Sequence, residues 1–392
     1  MSFIKIFFVL SILGVGFRII CRPTPSAGRY PAYVVIAYAM LVAISYFGTE
    51  SNTRYSEHKL LVLSTYTSWA FVGTTLLVRT HDDVRRFLTT YFVFAIIGTV
   101  IAIFGFVFGV KLFQNDIHAS QYRATIGSGN PIYLARMAGA GIVVIAWAFL
   151  QPTIRKQAST VLLMVIAFVF ALMLIGSGTR APILALAVCI VGLLVTCRNH
   201  ELAANAIRGA VVVAIVCALA IGYASRDTSF SRSLSRISEL REAGLNTQTG
   251  VARYRTWKAS LSLFGDNPIF GCGVGGYARY FPPKRGSIRS YPHNIFVEIA
   301  LEMGAVGLFA FCIVCSPLCR MTLRLKVAHT GSTVNALVFF LATYFLMNAQ
   351  SSGDVNDNRV MFSFLALAAV TLHISRSVPT HLDASRRNMV FL

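Results

Sequence analysis

Apolar residues dominate this chain in long blocks, and polar residues gather in the short stretches between them. About eleven blocks are long enough to cross a hydrocarbon layer, which takes about 20 helical residues. They fall at roughly 3–20, 31–48, 59–78, 88–110, 131–150, 158–176, 181–197, 208–224, 294–318, 333–350 and 359–375. Strand-length segments of alternating polarity are missing, so helices rather than a barrel must satisfy the backbone within lipid. The pattern predicts an all-α polytopic membrane protein. The first block has a weak basic start and no small-residue cleavage site, which favours a span over a signal peptide.

Composition supports the same class. Of the 392 residues, 56% are hydrophobic and 13% charged, where a soluble domain carries about 25% charged residues. The charge balance adds sidedness. Arg22 and Arg29, Arg79 with Arg85 and Arg86, Arg155 with Lys156, Arg198, and Arg320 with Arg324 and Lys326 occupy every second connection. Arg376, Arg386 and Arg387 follow the last block. Basic short loops are cytoplasmic, so the intervening loops face outward. This parity puts the N-terminus outside; a twelfth span near the start would put it inside and leave every later loop in place. The expected division is an N-terminal bundle at 1–224, a large outward loop at 225–293, and C-terminal helices with a cytoplasmic tail at 294–392.

The long outward loop breaks the charge rule. Residues 222–292 hold eleven cations: Arg226, Arg232, Arg236, Arg241, Arg253, Arg255, Lys258, Arg279, Lys284, Arg285 and Arg289. Only Asp227, Glu239, Glu242 and Asp266 oppose them, for a local net of +7. A loop this long is translocated whatever its charge. Nine of the eleven cations are Arg, the residue suited to gripping phosphate through paired donors. Anionic lipid headgroups are the alternative partner, and nucleic acid does not suit an outward loop between spans. Two more arginines stand within or beside spans: Arg180 after "GSGT", and Arg136 inside the fifth. Ionised groups at such positions face a cavity or a partner, although Arg180 is near enough to the end to snorkel.

Several motifs need weighing. Gly271, Gly273 and Gly276 give a G-x-G-x-x-G spacing, but no strand precedes it and a dinucleotide fold is excluded. The glycines fit a tight turn against a helix or a phosphate. Cys312, Cys315 and Cys319 read as one face of a membrane helix rather than a metal site. Asp354 and Asp357 lie on a short outward loop, where they cap the last span, pair with Arg359, or hold a metal. His293 opens the span that follows the basic loop, and Asn294 suits its N-cap. Glu298 and Glu302, four apart, share one face of that helix and must point into the bundle.

Taken in order, "GSGTRAPIL", "RYRTWKASLSLFGDNPIFGCGVGGY" and "YPHNIFVEIALEMGAVGL" resemble the O-antigen ligase and polymerase family of bacterial envelope enzymes, over roughly residues 175–310. The matching positions are Arg180 closing a small-residue turn, Arg253 four residues before Trp257, the pair His293–Asn294, and Glu302 before Gly304. Arg255 is an additional arginine beside Arg253. The resemblance implies a GT-C-like membrane glycosyltransferase in the inner membrane with its site facing the periplasm. It implies transfer of a glycan from undecaprenyl pyrophosphate to an acceptor hydroxyl, with inversion. A ligase uses a lipid A–core acceptor, a polymerase a second lipid-linked repeat, and a relative acts on protein. An R-x10-G spacing associated with polymerases is missing from 222–292, which tilts the reading towards a ligase.

The charge pattern suits that chemistry. Cleaving a glycosyl–pyrophosphate bond develops negative charge that preorganised arginines stabilise. With many arginines and few acids in the loop, the expected reaction needs no metal and no cofactor. His293, Arg180 and Arg253 are the expected catalytic residues, with Arg136, Arg255, Arg279, Asn294 and Glu302 binding substrate. An unperturbed imidazole titrates at about pH 6.5, which suits His293 as the base that takes the acceptor's proton; gripping pyrophosphate is its competing role. Glu302 is the second candidate base, or the group that orients His293. The rival class is a transporter of an anionic lipid, but such proteins often show repeated halves and none is visible.

Overall fold

The structure, a computed structural model, describes residues 31–46, 54–107, 131–151, 159–196, 204, 207, 248–282, 289–328, 334–351 and 353–377. All regular structure among them is helical. In chain order the helices are α1 Ala32–Ile44, α2 Arg54–Val62, α3 Ser68–Leu77, α4 His81–Val107, α5 Pro131–Phe149, α6 Thr160–Gly176 and α7 Arg180–Thr196. There follow α8 Gln248–Asp266, α9 Tyr277–Tyr280, α10 Ile295–Ala328, α11 Val334–Ala349 and α12 Arg359–Ser377. A π-helical turn, Leu63–Thr67, joins α2 to α3, and a 3-10 turn, Val355–Asn358, leads into α12.

Among the described residues, four helices are long and apolar enough to cross a membrane: Tyr55–Leu77, His81–Phe104, Pro131–Phe149 and Ile295–Leu323. Ala32–Ile44, Thr160–Gly176, Arg180–Thr196 and Val334–Ala349 are shorter apolar helices. The expected spans at 3–20 and 208–224 lie outside the described residues. Part of the expected outward loop is helical, as α8 and α9.

The chain divides into two compact units. The first comprises Met1–Val84, Ala252–Thr322 and Ala349–Asp383. Its aromatic core is built on Tyr38, which stacks on Phe71 at 4.4 Å and meets the edge of Phe362 at 5.6 Å. Ser363 donates to the Ala70 carbonyl at 3.0 Å, tying α12 to α3. The second unit comprises Arg85–Val251, Leu323–Asn348 and Ala384–Leu392. There α5 presents Ala138, Gly139, Ala140 and Gly141, all buried. A Cβ at Gly139 would overlap the Tyr344 ring, and one at Gly141 the Phe170 ring. Small residues admit such close approach where lipid supplies no hydrophobic drive between helices.

Candidate functional site

The first unit encloses a charged cluster around Lys59. Its ammonium, on α2, donates to both oxygens of Glu302 at 2.8 and 2.7 Å and to Oε1 of Glu298. All three side chains are essentially inaccessible. Glu298 and Glu302 lie one turn apart on α10, so a single ammonium reaches both. The Val355 N–H donates to Glu298 Oε1 at 3.2 Å, and the Gly275 N–H donates to Glu302. Glu298 Oε2 is buried with no hydrogen-bond partner among the described residues. Charges this deep persist only when paired, because desolvation costs several kcal/mol per ion, order of magnitude.

The cluster extends to the loop before α12. Tyr55 donates to Asp354 at 2.8 Å, and the Asn356 amide donates to the Lys59 carbonyl at 2.8 Å. Thr67, in the π turn, donates to Asn356 Oδ1 at 3.1 Å. Asp354 and Asp357 form a reciprocal capping box, the first accepting from the Asp357 N–H at 2.8 Å. Arg289 bridges them, at 3.1 Å to Asp354 and 2.9 Å to Asp357. The cap falls on the 3-10 turn that leads into α12 rather than on α12 itself, and the cationic partner is Arg289. Arg359 instead donates to the Asn356 carbonyl and lies over the Tyr66 ring. Burial by itself would raise the Asp354 carboxyl. The Lys59 and Arg289 charges, with the Tyr55 hydroxyl, outweigh it and hold Asp354 below its ordinary value.

Above this cluster α10 is broken. Gly304 has φ 67° and ψ −166° inside an otherwise helical run. The break frees backbone groups that the glycine loop takes up. Cys272 and Gly273 donate to the carbonyls of Leu301 and Glu302 at 2.9 and 3.0 Å. Ala305 and Val306 donate to the carbonyls of Pro268 and Ile269 at 2.8 and 3.2 Å. Gly271 makes the contact possible, with φ 72° and no room for a Cβ, which would lie 2.5 Å from the Glu302 carbonyl carbon. Of the two uses read for the G-x-G-x-x-G spacing, a tight turn against a helix is the one the structure adopts. Burial there pushes the Cys272 thiol up to about 12.

His293 stands at the head of α10. It is the one non-glycine among the described residues with positive φ, 59°, a conformation uncommon outside glycine that histidine takes more readily than branched residues do. On one side Asn294 caps α10, accepting from the N–H groups of Phe296 and Val297 at 3.0 and 3.2 Å. On the other, the Trp257 indole donates to the Pro292 carbonyl at 2.8 Å, joining α8 to the residue before the histidine. The imidazole meets the edge of Tyr291 at 4.4 Å.

The expected arginines are distributed as follows. Arg253 lies on α8 one turn before Trp257 and is half-buried; Arg255 and Arg279 are exposed. Arg136 and Arg180 belong to the second unit. Arg136 is buried and donates to the Asn348 carbonyl at 2.9 Å. Arg180 is the first residue of α7 and half-buried, after a turn in which Gly178 has φ 61° and the Ser177 and Thr179 hydroxyls lie 2.7 Å apart. Arg226, Arg232, Arg236, Arg241, Lys284 and Arg285 lie outside the described residues.

Among the described residues, no three His, Cys, Asp or Glu side chains are grouped as metal ligands. Cys312 and Cys319 are exposed along α10. Glu302, expected beside His293, is held by Lys59 and the Gly275 N–H. Lys59, Tyr55 and Asn356 were not singled out from the sequence. The available signal was an ionisable residue at the edge of a span, because two carboxylates in another span require a cation.

Comparison with known families bears on the segment that carries most of these residues. Residues 162–312 match the family model described as O-Antigen ligase. The match takes in Arg180, Arg253, the glycine loop, His293, Asn294 and Glu302, in rather less than half of the chain. No curated protein matches the chain.

Proposed function

We infer that this chain, a member of the O-antigen ligase family through residues 162–312, is a membrane glycosyltransferase that moves a glycan from undecaprenyl pyrophosphate to a lipid A–core acceptor. The reading places the protein in the bacterial inner membrane with its site facing the periplasm. The observation that carries it is the placement of His293, at positive φ between the Trp257–Pro292 bond and the Asn294 cap. Arg253 shares a face of α8 with Trp257, since residues four apart lie one above the other. The bond that holds the histidine loop therefore also fixes the side of α8 from which Arg253 projects.

In the proposed reaction the acceptor hydroxyl oxygen attacks the anomeric carbon as the bond to pyrophosphate breaks, and the configuration inverts. His293 takes the hydroxyl proton. Arg253 meets the charge growing on the departing pyrophosphate, and the resemblance gives Arg180 the same role. Arg255 and Arg279, exposed, serve as further donor contacts. Asn294 and Glu302 hold α10, through its cap and through Lys59. Arg136 ties α5 to α11, through the Asn348 carbonyl. Charge neutralisation by arginine leaves the reaction independent of divalent metal.

The test is single-turnover transfer by the purified protein in proteoliposomes, with a lipid-linked glycan and separate acceptors. We expect His293→Ala to lower the rate by about 100- to 10,000-fold, the range of a lost general base, while donor affinity is largely retained. Arg253→Lys should rescue poorly, because a point charge does not replace the guanidinium fork. Activity should persist in excess chelator. Undiminished rate with weakened donor binding would remove His293 from the proton transfer. Elongation of the lipid-linked repeat without transfer to lipid A–core would make the protein a polymerase, and movement of the lipid without transfer would make it a transporter.

A further inference from the structure

Helix α8 has one face packed and one face bare. On the packed side Trp257 is tied to Pro292 and Ser260 is fully buried. On the bare side Tyr254, Lys258 and Leu261 follow one another at helical spacing, and past the exposed Asp266 and Asn267 at the helix end come Ile269 and Phe270 at the tip of the following loop. Tyr254 is 65% exposed, Leu261 56%, Ile269 59% and Phe270 53%. Four exposed large apolar or aromatic side chains within one short segment, two of them adjacent at its tip, are a poor surface to present to water.

The tip is also fixed in depth. Through the Pro268, Ile269, Cys272 and Gly273 backbone it is bonded to α10 on both sides of Gly304. Gly304 lies nine residues into the candidate span Ile295–Leu323, or about 14 Å along a helix axis. That span of 29 residues is at most about 43 Å long as continuous helix, and shorter for the break at Gly304, against a hydrocarbon core of about 30 Å. Even if the whole surplus lies at this end, Gly304 reaches the hydrocarbon boundary; a shared surplus puts it deeper. Irregular backbone at such depth is tolerated when protein satisfies it, and these hydrogen bonds to α10 do so.

We propose that Ile269 and Phe270, with Leu261, insert into the acyl edge of the bilayer, and that α8 descends to them along the headgroups. The order along the line fits: Tyr254 and Lys258 come first, an amphipathic ring and a cation able to snorkel to the headgroups. Leu261, Ile269 and Phe270 follow, nearer the hydrocarbon. The segment charge alone assigns to an outward aqueous loop is then a membrane anchor. It fixes the depth of the loop that carries Arg253 and leads to His293. The inference requires only a membrane-spanning chain, not the transfer reaction.

The test uses Ile269→Trp, Phe270→Trp and Tyr254→Trp in nanodiscs of phosphatidylcholine and phosphatidylglycerol, each read as the difference from the parent protein. We expect lipids brominated in the acyl chain to quench the added indole at 269 and 270 at least about twofold more than at 254, the depth profile of an interfacial insertion. Aqueous iodide should reach 254 and spare 269 and 270. Iodide quenching at 269 and 270 without lipid quenching overturns the proposal. Quenching by neither would place the tip against protein and overturns it equally. Because both tip side chains are exposed, two independent variants report on one insertion.

Discussion

Two sets of charges stand within the first unit, and the fold treats them in opposite ways. Lys59, Glu298, Glu302 and Asp354 are enclosed, and each is matched to a counter-charge within the protein. Arg253, Arg255, Arg279 and Arg289 keep partial or full exposure on the neighbouring loop and helices, and of these Arg289 is bound to both carboxylates of the capping box. The enclosed charges can only position backbone, because no substrate replaces their partners without leaving a buried ion unpaired. The exposed arginines retain water on at least one side, which an incoming phosphate can displace. The same charge type is thus enclosed in one place and in contact with solvent in the other, and burial decides which.

The sharpest way to break this comparison is Lys59→Met. It leaves two buried carboxylates facing each other, at a cost of about 3–5 kcal/mol, the range for removing one partner of a buried pair. Thermal unfolding in detergent should show a large loss of stability. Adding Glu298→Gln and Glu302→Gln should recover much of it. A Lys59→Met protein that melts like the parent but is inactive would move the cluster from scaffold to chemistry. A smaller loss is expected for Gly304→Ala, where a Cβ runs into the Ile269 carbonyl and the backbone has positive φ. About 1–3 kcal/mol is the cost of a residue held in such a region, and unchanged melting would mean that α10 straightens without penalty.

Acidification sharpens the boundary between the two sets. The Asp354 carboxyl is held below its ordinary value by Lys59 and Arg289, against the opposing effect of burial. A depressed folded-state value means that its contribution is fully present above the unfolded carboxylate range. It is lost as pH falls through the folded-state value. Stability measured against pH should decline on the acid side of that range, and Asp354→Asn should flatten that part of the profile. The smallest effect on stability belongs to Arg255→Gln. An exposed substitution away from such features stays within about 0.5 kcal/mol, so its melting should match the parent while donor affinity falls. A large drop in melting temperature would show Arg255 to be structural.

Much of this arrangement is legible before any folding is considered. Asn294 directly before an apolar run reads as a cap, and its side-chain oxygen accepts from two N–H groups at the start of α10. Two glutamates four apart in a span must face protein, and both do. The glycines at 271 and 273 read as a close approach, and both have positive φ. What stayed hidden is the other half of each interaction. Lys59 is separated from Glu298 by 239 residues, and Tyr55 from Asp354 by 299. No periodicity links positions so far apart. The Gly304 break was equally silent, because a lone glycine in an apolar run is compatible with a continuous helix.

The sequence by itself determined the class of molecule, since length and apolarity admit only helices in lipid. It also determined where charge accumulates and, at Asn294, where one helix is capped, because caps and spans depend on neighbours in the chain. Only the tertiary structure decided which charges are matched and which remain exposed. Pairing in a buried site depends on which side chains are brought within about 3 Å, and for Lys59 and Arg289 the residues that meet them come from distant stretches of the chain.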